Sequence, residues 1–251
     1  MIQLKSAREI DLMAEGGKIL AATVAMLRRE VKAGMSTLDL DALAESFIRS
    51  HPGATPAFKG LYGFPGTLCT SINNEIVHGI PSRKRVLRDG DIISIDVGVK
   101  FEGYHTDSAT TVPVGHHVPD ESHRLLGVTQ RALAAGIEAA QPGNHVGDIG
   151  AAIQGVVEES GFSIVRDLVG HGIGVEFHEE PQVPNYGKPK RGLKLVPGLT
   201  LAIEPMVNVG GPTTRTLADR WTIVTVDGSR SAHFEHTVAI TESGHRVLTA
   251  A

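Results

Sequence analysis

The chain has 251 residues, 41% hydrophobic and 21% charged, with a formal net charge of −4. That length suits one large domain or two small ones, and the composition is that of a folded globular protein. The mild acidity gives no case for a general nucleic-acid binder, and no DNA partner is expected; no apolar stretch is long enough for a helix that crosses a bilayer.

Ser6-Ala7-Arg8-Glu9 has the form of a capping box, and Ile10, Met13, Leu20, Val24 and Leu27 follow at helical spacing. A helix is expected from about Ala7 to Val31. Ser36 or Thr37 can cap a second helix, with Leu40, Leu43, Ala44 and Phe47 on its buried side, ended by His51-Pro52-Gly53. Next comes Leu61-Tyr62-Gly63-Phe64-Pro65, a glycine- and proline-marked loop in a chain with only 4% aromatics. It leads through Cys69 and Ser71-Ile72-Asn73 to His78-Gly79-Ile80-Pro81. Taken alone, the aromatic residues and Cys69 suit a core, and His78 suits a hydrogen-bonded structural role.

The segment from Ile92 to Val114 alternates apolar and polar residues around Phe101-Glu102-Gly103, the pattern of a two-stranded hairpin. With the turn centred between Phe101 and Glu102, Asp96 and Asp107 become cross-strand neighbours on one face, about 4.5–5.5 Å apart at Cβ. A bulge at Gly103 would instead shift the register by one. Two carboxylates that close repel, and a cation between them removes the repulsion.

Helices are expected over Glu121 to Ala140 and Val146 to Ser160. The stretch Gly34 to Ile48 has a faint echo in Gly143 to Val157, at an offset of 109 residues. A repeat of that kind implies two related halves, about 1–118 and 119–251, within a single α+β domain spanning 1–251. Beyond them His171 is flanked by glycines, and Phe177-His178 follows. This stretch lacks the spacing of a dinucleotide fingerprint. Leu199 to Val209 reads as one apolar strand with Glu204 in its middle. A last hairpin is expected between Trp221–Val226 and Ser231–Ile240 across Asp227-Gly228, with Glu235 in its second strand. A buried glutamate in such a strand is costly unless paired or metal-bound.

Asp96, Asp107, His171, Glu204 and Glu235 therefore stand out together. Four acidic groups in one place are untenable without cations. Two divalent ions balance the charge, and carboxylates can bridge such a pair. Oxygen-rich ligation with one histidine suits manganese, iron(II) or cobalt at least as well as zinc.

Across Ser6 to Thr249 the chain resembles the bacterial type I methionine aminopeptidases, which have the α+β pita-bread fold, two pseudo-symmetric halves with helices outside a curved antiparallel sheet. The motifs are His78-Gly79-Ile80-Pro81, Ile95-Asp96-Val97, Thr106-Asp107, Gly170-His171-Gly172, Ile203-Glu204-Pro205-Met206 and Phe234-Glu235-His236-Thr237. The resemblance implies hydrolytic removal of an N-terminal methionine from nascent polypeptides whose second residue is small. It implies two divalent ions of cobalt, manganese, iron(II), zinc or nickel. Asp96 would chelate one, His171 and Glu204 the other, and Asp107 and Glu235 would bridge them. His178 would support the developing oxyanion, His78 would contact the scissile amide, and Glu204 would shuttle a proton. Leu61, Phe64, Cys69, Phe177 and Trp221 would line the methionine pocket.

Many relatives read Tyr-x-Gly-Tyr-Pro at the pocket loop. Here Leu61 and Phe64 replace the two tyrosines, which removes two phenol hydroxyls from the rim. Proline-specific peptidases of this fold usually carry a separate N-terminal domain, for which this chain has no room, and non-catalytic relatives lose metal ligands that this chain keeps. The single Cys69 and an N-terminus interrupted by Lys5, Arg8, Glu9 and Asp11 fit a cytoplasmic protein without a signal peptide. A monomer is expected. Arg83-Lys84-Arg85 and the lysines and arginine from Lys188 to Lys194 are solvated loops or a patch for an anionic partner, and the nascent-chain substrates imply transient ribosome association.

Overall fold

A computed structural model describes residues 2–250 of the chain. Helix α1 (Ala7–Glu30) starts at Ser6, whose hydroxyl accepts from the Glu9 backbone while the Glu9 carboxylate accepts from the Ser6 backbone. Helix α2 (Thr37–Arg49) starts the same way at Ser36 and Asp39. Its buried side is Leu40, Ala44 and Ile48 rather than the expected set: Leu43 is exposed and Phe47 only half-buried. Residues spaced by four (Leu40, Ala44, Ile48) trace the narrow stripe that touches the sheet.

The hairpin pairs Ile92–Phe101 with Tyr104–Pro113 over its full length. Its turn is Glu102-Gly103, both with positive φ (47° and 91°), the backbone of a two-residue turn whose twist matches the strands. Phe101 therefore faces Tyr104, and the register differs by two residues from the sequence expectation. Asp96 lies opposite Ala109, and Asp107 opposite Gly98. A shift of two keeps each side chain on its face, so the two aspartates are diagonal rather than direct neighbours. Both faces of the hairpin are buried. Ile93, Ile95, Val97 and Val99 pack with Leu20, Leu27, Leu40 and Ile48 from α1 and α2. Ser94, Asp96 and Gly98 point the other way.

Helices α3 (Asp120–Ala139) and α4 (Val146–Glu159) follow. Asp148 accepts from the His145 backbone at the start of α4, as Asp39 does from Ser36 at α2. An isolated antiparallel bridge joins Ser36 to Val86, and another joins His145 to Lys194. Leu125, Leu133, Ile149 and Ile153 pack with Leu201, Ile203 and Val238 in the largest core cluster.

Every strand pairing is antiparallel among the described residues. Ala54–Pro56 and Leu68–Ile72 flank the hairpin's first strand. A five-stranded sheet runs Gly244–Val247, His236–Thr241, Thr200–Ile203, Gly170–Gly172, Glu179–Val183. The expected strand from Leu199 to Val209 is two strands, Thr200–Ile203 and Met206–Asn208, parted at Glu204-Pro205. Pro205 has no N–H to offer the ladder, which accounts for the break. The expected last hairpin also dissolves. Ile223–Thr225 pairs with Thr214–Thr216 and Glu75–Val77, whereas Ser231–His233 pairs with Met206–Asn208. Trp221 precedes the strand, in a turn held by Asp219, which accepts from the Trp221 and Thr222 backbones.

Candidate metal centre and the pocket beside it

Four stretches of chain bring the candidate metal ligands to one cavity of about 550 Å³, and every candidate site residue singled out from the sequence lines it. The hairpin supplies Asp96 and Asp107. The five-stranded sheet supplies His171, from Gly170–Gly172. The two broken strands supply the glutamates. Ile203 pairs with His236 on one side of the break and Met206 with His233 on the other, so Glu204 stands opposite Glu235. Glu235 thus lies between strands rather than within one.

Cross-links tie these stretches together. The Glu235 backbone donates to Ala109 O at 3.0 Å, and Ser108 Oγ donates to Glu235 O at 2.9 Å. Thr237 Oγ1 accepts from the Asp107 backbone and donates to Asp107 O, both at 2.9 Å. The backbones that carry these two carboxylates cannot separate without breaking this network.

One ligand atom from each of Asp107, His171 and Glu235 lies within 4.8 Å of the others. Glu204 joins them through Oε1, 3.6 Å from His171 Nε2. His171 Nδ1 donates to Gly172 O at 2.8 Å. A carbonyl only accepts, so the proton sits on Nδ1 and the Nε2 lone pair faces the carboxylates.

Burial raises the pKa of all four carboxylates. Asp96 is pushed up to about 7 and Glu204 to about 8, chiefly by desolvation. Asp107 and Glu235 rise well above the usual range, by desolvation first and then by repulsion from the neighbouring carboxylates. Burial lowers His171 to about 4, helped by His178, and lowers His78 to about 4. The cluster thus holds protons it would give up to a cation, and its histidine is neutral, the state that ligates. Asp96 Oδ1 and Glu235 Oε1 are buried with no hydrogen-bond partner. Orphaned carboxylate oxygens beside a neutral imidazole fit divalent metal, since each lacks the partner that burial demands.

The apolar end of the cavity is built from Phe64, Cys69, Phe177, Leu61 and Trp221. Phe64 meets Trp221 edge-on, with ring centres 5.1 Å apart. Asp41, buried in α2, accepts from the Thr67 and Leu68 backbones at 2.7 and 2.8 Å and so fixes the strand that carries Cys69. Gly98 is where a side chain cannot stand: a Cβ there would lie 2.8 Å from the Phe177 ring. Burial pushes the Cys69 thiol pKa well up, so it serves as a small apolar wall rather than a nucleophile.

His78 and His178 stand at the same cavity. His78 has φ 60°, a left-handed backbone that costs a non-glycine residue about 1–3 kcal/mol and that gathers at functional sites. The His178 ring centre is 4.4 Å from that of His171.

Three features had no assigned role in the sequence. Tyr62 sits on a single 3-10 turn at Leu61–Gly63 with φ 51°, stacks on His178 and brings its hydroxyl to 3.4 Å from His178 Nδ1. A phenol thus returns to the rim from the position between the two substituted ones. Lys5 is buried and forms an ion pair with Glu179, next to His178. His233 is 2% exposed, with Nε2 at 3.5 Å from Glu204 Oε2. Its spacing of two from Glu235 was the available signal, since residues i and i+2 of an extended chain share a face.

A sequence profile of metallopeptidase family M24 matches residues 11–242. Methionine aminopeptidase 1 of Bacillus subtilis (strain 168) is 53% identical over 249 residues, covering 99% of each chain. Methionine aminopeptidase of Clostridium perfringens is 52% identical with the same coverage. Among solved structures, methionine aminopeptidase from Thermotoga maritima superposes with a TM-score of 0.97 at 43% identity, covering 100% of both chains. Prolidase from Pyrococcus furiosus shares the fold, with a TM-score of 0.77 at 23% identity over 99% of this chain and 65% of its own. With that fold, that profile and full-length relatives around half identical, the chain belongs to metallopeptidase family M24.

Proposed function

We propose that the protein removes the N-terminal methionine from peptides and nascent proteins whose second residue is small. One observation carries this reading: a single cavity joins the buried carboxylates of Asp96, Asp107 and Glu235, the partly buried Glu204 and a neutral histidine to an apolar, aromatic-lined end that holds a thiol. The full-length relatives named methionine aminopeptidase support the same activity.

Asp96, Asp107, His171, Glu204 and Glu235 hold two divalent ions, of cobalt, manganese, iron(II), zinc or nickel. When bound, such ions polarise the scissile carbonyl and lower the pKa of water at the site. Asp96 would hold one ion, His171 and Glu204 would hold the other, and Asp107 and Glu235 would serve both. Glu204 carries a proton between the attacking water and the departing amine. His178 donates to the carbonyl oxygen as negative charge develops there. His78 contacts the scissile amide. Leu61, Phe64, Cys69, Phe177 and Trp221 take up the methionine side chain, whose flexible thioether suits apolar and aromatic walls.

The chain works as one catalytic unit of two related halves, 1–118 and 119–251. The matching carboxylate caps at Asp39 and Asp148 and the matching bridges at Ser36 and His145 support the repeat. We read the protein as a cytoplasmic monomer that meets its substrates at the ribosome.

Metal-stripped protein should be assayed on Met-Ala-Ser, Met-Leu-Ser and Ala-Pro-Ser, with manganese or cobalt added back. Metal-dependent release of methionine from Met-Ala-Ser alone is the expected result. Preferred cleavage of Ala-Pro-Ser would keep the metal centre but transfer the substrate to the proline-specific branch of the fold.

A further inference from the structure

His233 is fastened at its backbone and unfastened at its ring. Its N–H donates to Thr111 Oγ1 at 2.9 Å, and Thr111 Oγ1 donates to its carbonyl at 2.9 Å. Thr111 belongs to the hairpin strand that carries Asp107, so the imidazole is held over the carboxylate cluster. Its Nε2 is buried and has no hydrogen-bond partner. That nitrogen lies 3.5 Å from Glu204 Oε2 and 4.0 Å from Glu235 Oε2.

The two oxygens of Glu204 therefore face different imidazoles. Oε1 looks toward His171 Nε2 at 3.6 Å, and Oε2 toward His233 Nε2. His171 presents a lone pair, because its proton is committed to Gly172 O. His233 has the complementary option. Its Nε2 lies nearest two carboxylate oxygens, which can only accept once they are ionised, and it stands outside the close group of Asp107, His171 and Glu235. Moving it by about half an ångström would bring Nε2 within ordinary hydrogen-bond reach of Oε2.

We propose that His233 is a positioning residue for the metal centre: its Nε2–H donates to Glu204 Oε2, so that Glu204 turns Oε1 alone toward the metal it shares with His171. This rests on the metal-centre reading given above. A carboxylate with one oxygen held by a donor cannot swing both oxygens onto the ion. Such outer partners typically govern metal affinity by about 10–100-fold. They also fix which oxygen remains free to accept a proton.

The test compares Co(II) binding by wild-type protein, His233→Leu and His233→Gln, using calorimetry with a competing chelator. His233→Leu should bind about 10–100-fold more weakly, and His233→Gln, which keeps an N–H donor, should recover most of the loss. His233→Leu binding as tightly as wild type would overturn the proposal, as would His233→Gln binding as weakly as His233→Leu. A second measurement does not depend on the leucine variant folding. In proton NMR of Co(II)-loaded wild type, the exchangeable Nδ1–H of a ligating histidine is strongly shifted, and His171 should account for it. A further such signal that disappears in His233→Gln would make His233 a ligand and overturn the positioning role. Failure of wild type to bind Co(II) at all would instead overturn the centre itself, before any variant is compared.

Discussion

Glu204 and Glu235 face each other across one antiparallel ladder, each where its strand is interrupted. A regular ladder at that point would fix both carboxylates at strand spacing, with like charges directly opposed. The break at Glu204-Pro205 and Phe234-Glu235 releases both from the pleat while the flanking pairs keep the register. Burial and the neighbouring carboxylates oppose ionisation of Glu235, which keeps its proton well above the usual carboxylate range, so repulsion is felt as pH rises and that proton is lost. Replacing Glu235 by its neutral isostere should therefore stabilise the metal-free protein at alkaline pH while impairing the metal-bound one. Glu235→Gln is expected to raise the metal-free Tm by about 2–4 °C for each kcal/mol gained. Activity at matched metal concentration should be lost. Calorimetric unfolding with and without metal checks both; a lower metal-free Tm would contradict the repulsion.

The same cluster sets a pH dependence. The folded-state pKa of Asp96, about 7, and of Glu204, about 8, exceed their unfolded values. Their contribution to stability is thus present at low pH and lost as pH rises through those values. His171 and His78, lowered to about 4 from 6.5, act in the opposite direction but only below about 6.5. Between about pH 6.5 and 8 the carboxylates act without that opposition, and the metal-free protein should lose stability. Divalent metal should flatten the slope, and its binding should release protons. Thermal melts across that window and a pH-stat titration measure the two effects. A metal-free Tm that stays level or climbs would count against it.

Lys5 and Glu179 form a buried ion pair beside His178. Removing one partner of such a pair typically costs about 3–5 kcal/mol, because the other charge is left unpaired. Lys5→Met should therefore be strongly destabilised, and adding Glu179→Met should recover most of the loss. A double-mutant cycle on Tm and kcat checks this; additive losses would show that the two side chains do not act as a unit.

Trp221 closes the apolar end of the cavity against Phe64. Trp221→Ala should raise KM for methionyl peptides by about tenfold, the equivalent of 1.4 kcal/mol of lost contact. Metal content should be unchanged. Metal analysis beside steady-state kinetics separates the roles, and lost metal with an intact KM would assign Trp221 to the centre instead.

Much of the fold was legible in the chain because it is written in local chemistry. The Ser6 and Ser36 caps and the 3.6-residue periodicity locate α1 and α2 to within a residue or two. Period-two alternation put Asp96 and Asp107 on the same face even though the turn was misplaced, since a slip of two residues preserves side-chain direction. The final hairpin was misjudged for the converse reason. Asp227-Gly228 is a sound turn signal, but Ile223–Thr225 finds better partners in Glu75–Val77 and Thr214–Thr216, which lie far away or on the other side in sequence.

The sequence by itself put forward Asp96, Asp107, His171, Glu204 and Glu235 as candidate donors, and determined the alternation that turns the hairpin aspartates inward and the family motifs around them. Only the tertiary structure decided that Glu204 opposes Glu235, that His233 looks onto Glu204, that Lys5 anchors the His178 loop, and that Tyr62 stacks on His178. Periodicity reports which way a side chain faces along its own strand. It carries no information on which distant strand, joined through hydrogen bonds such as that from Ser108 to Glu235, will stand opposite.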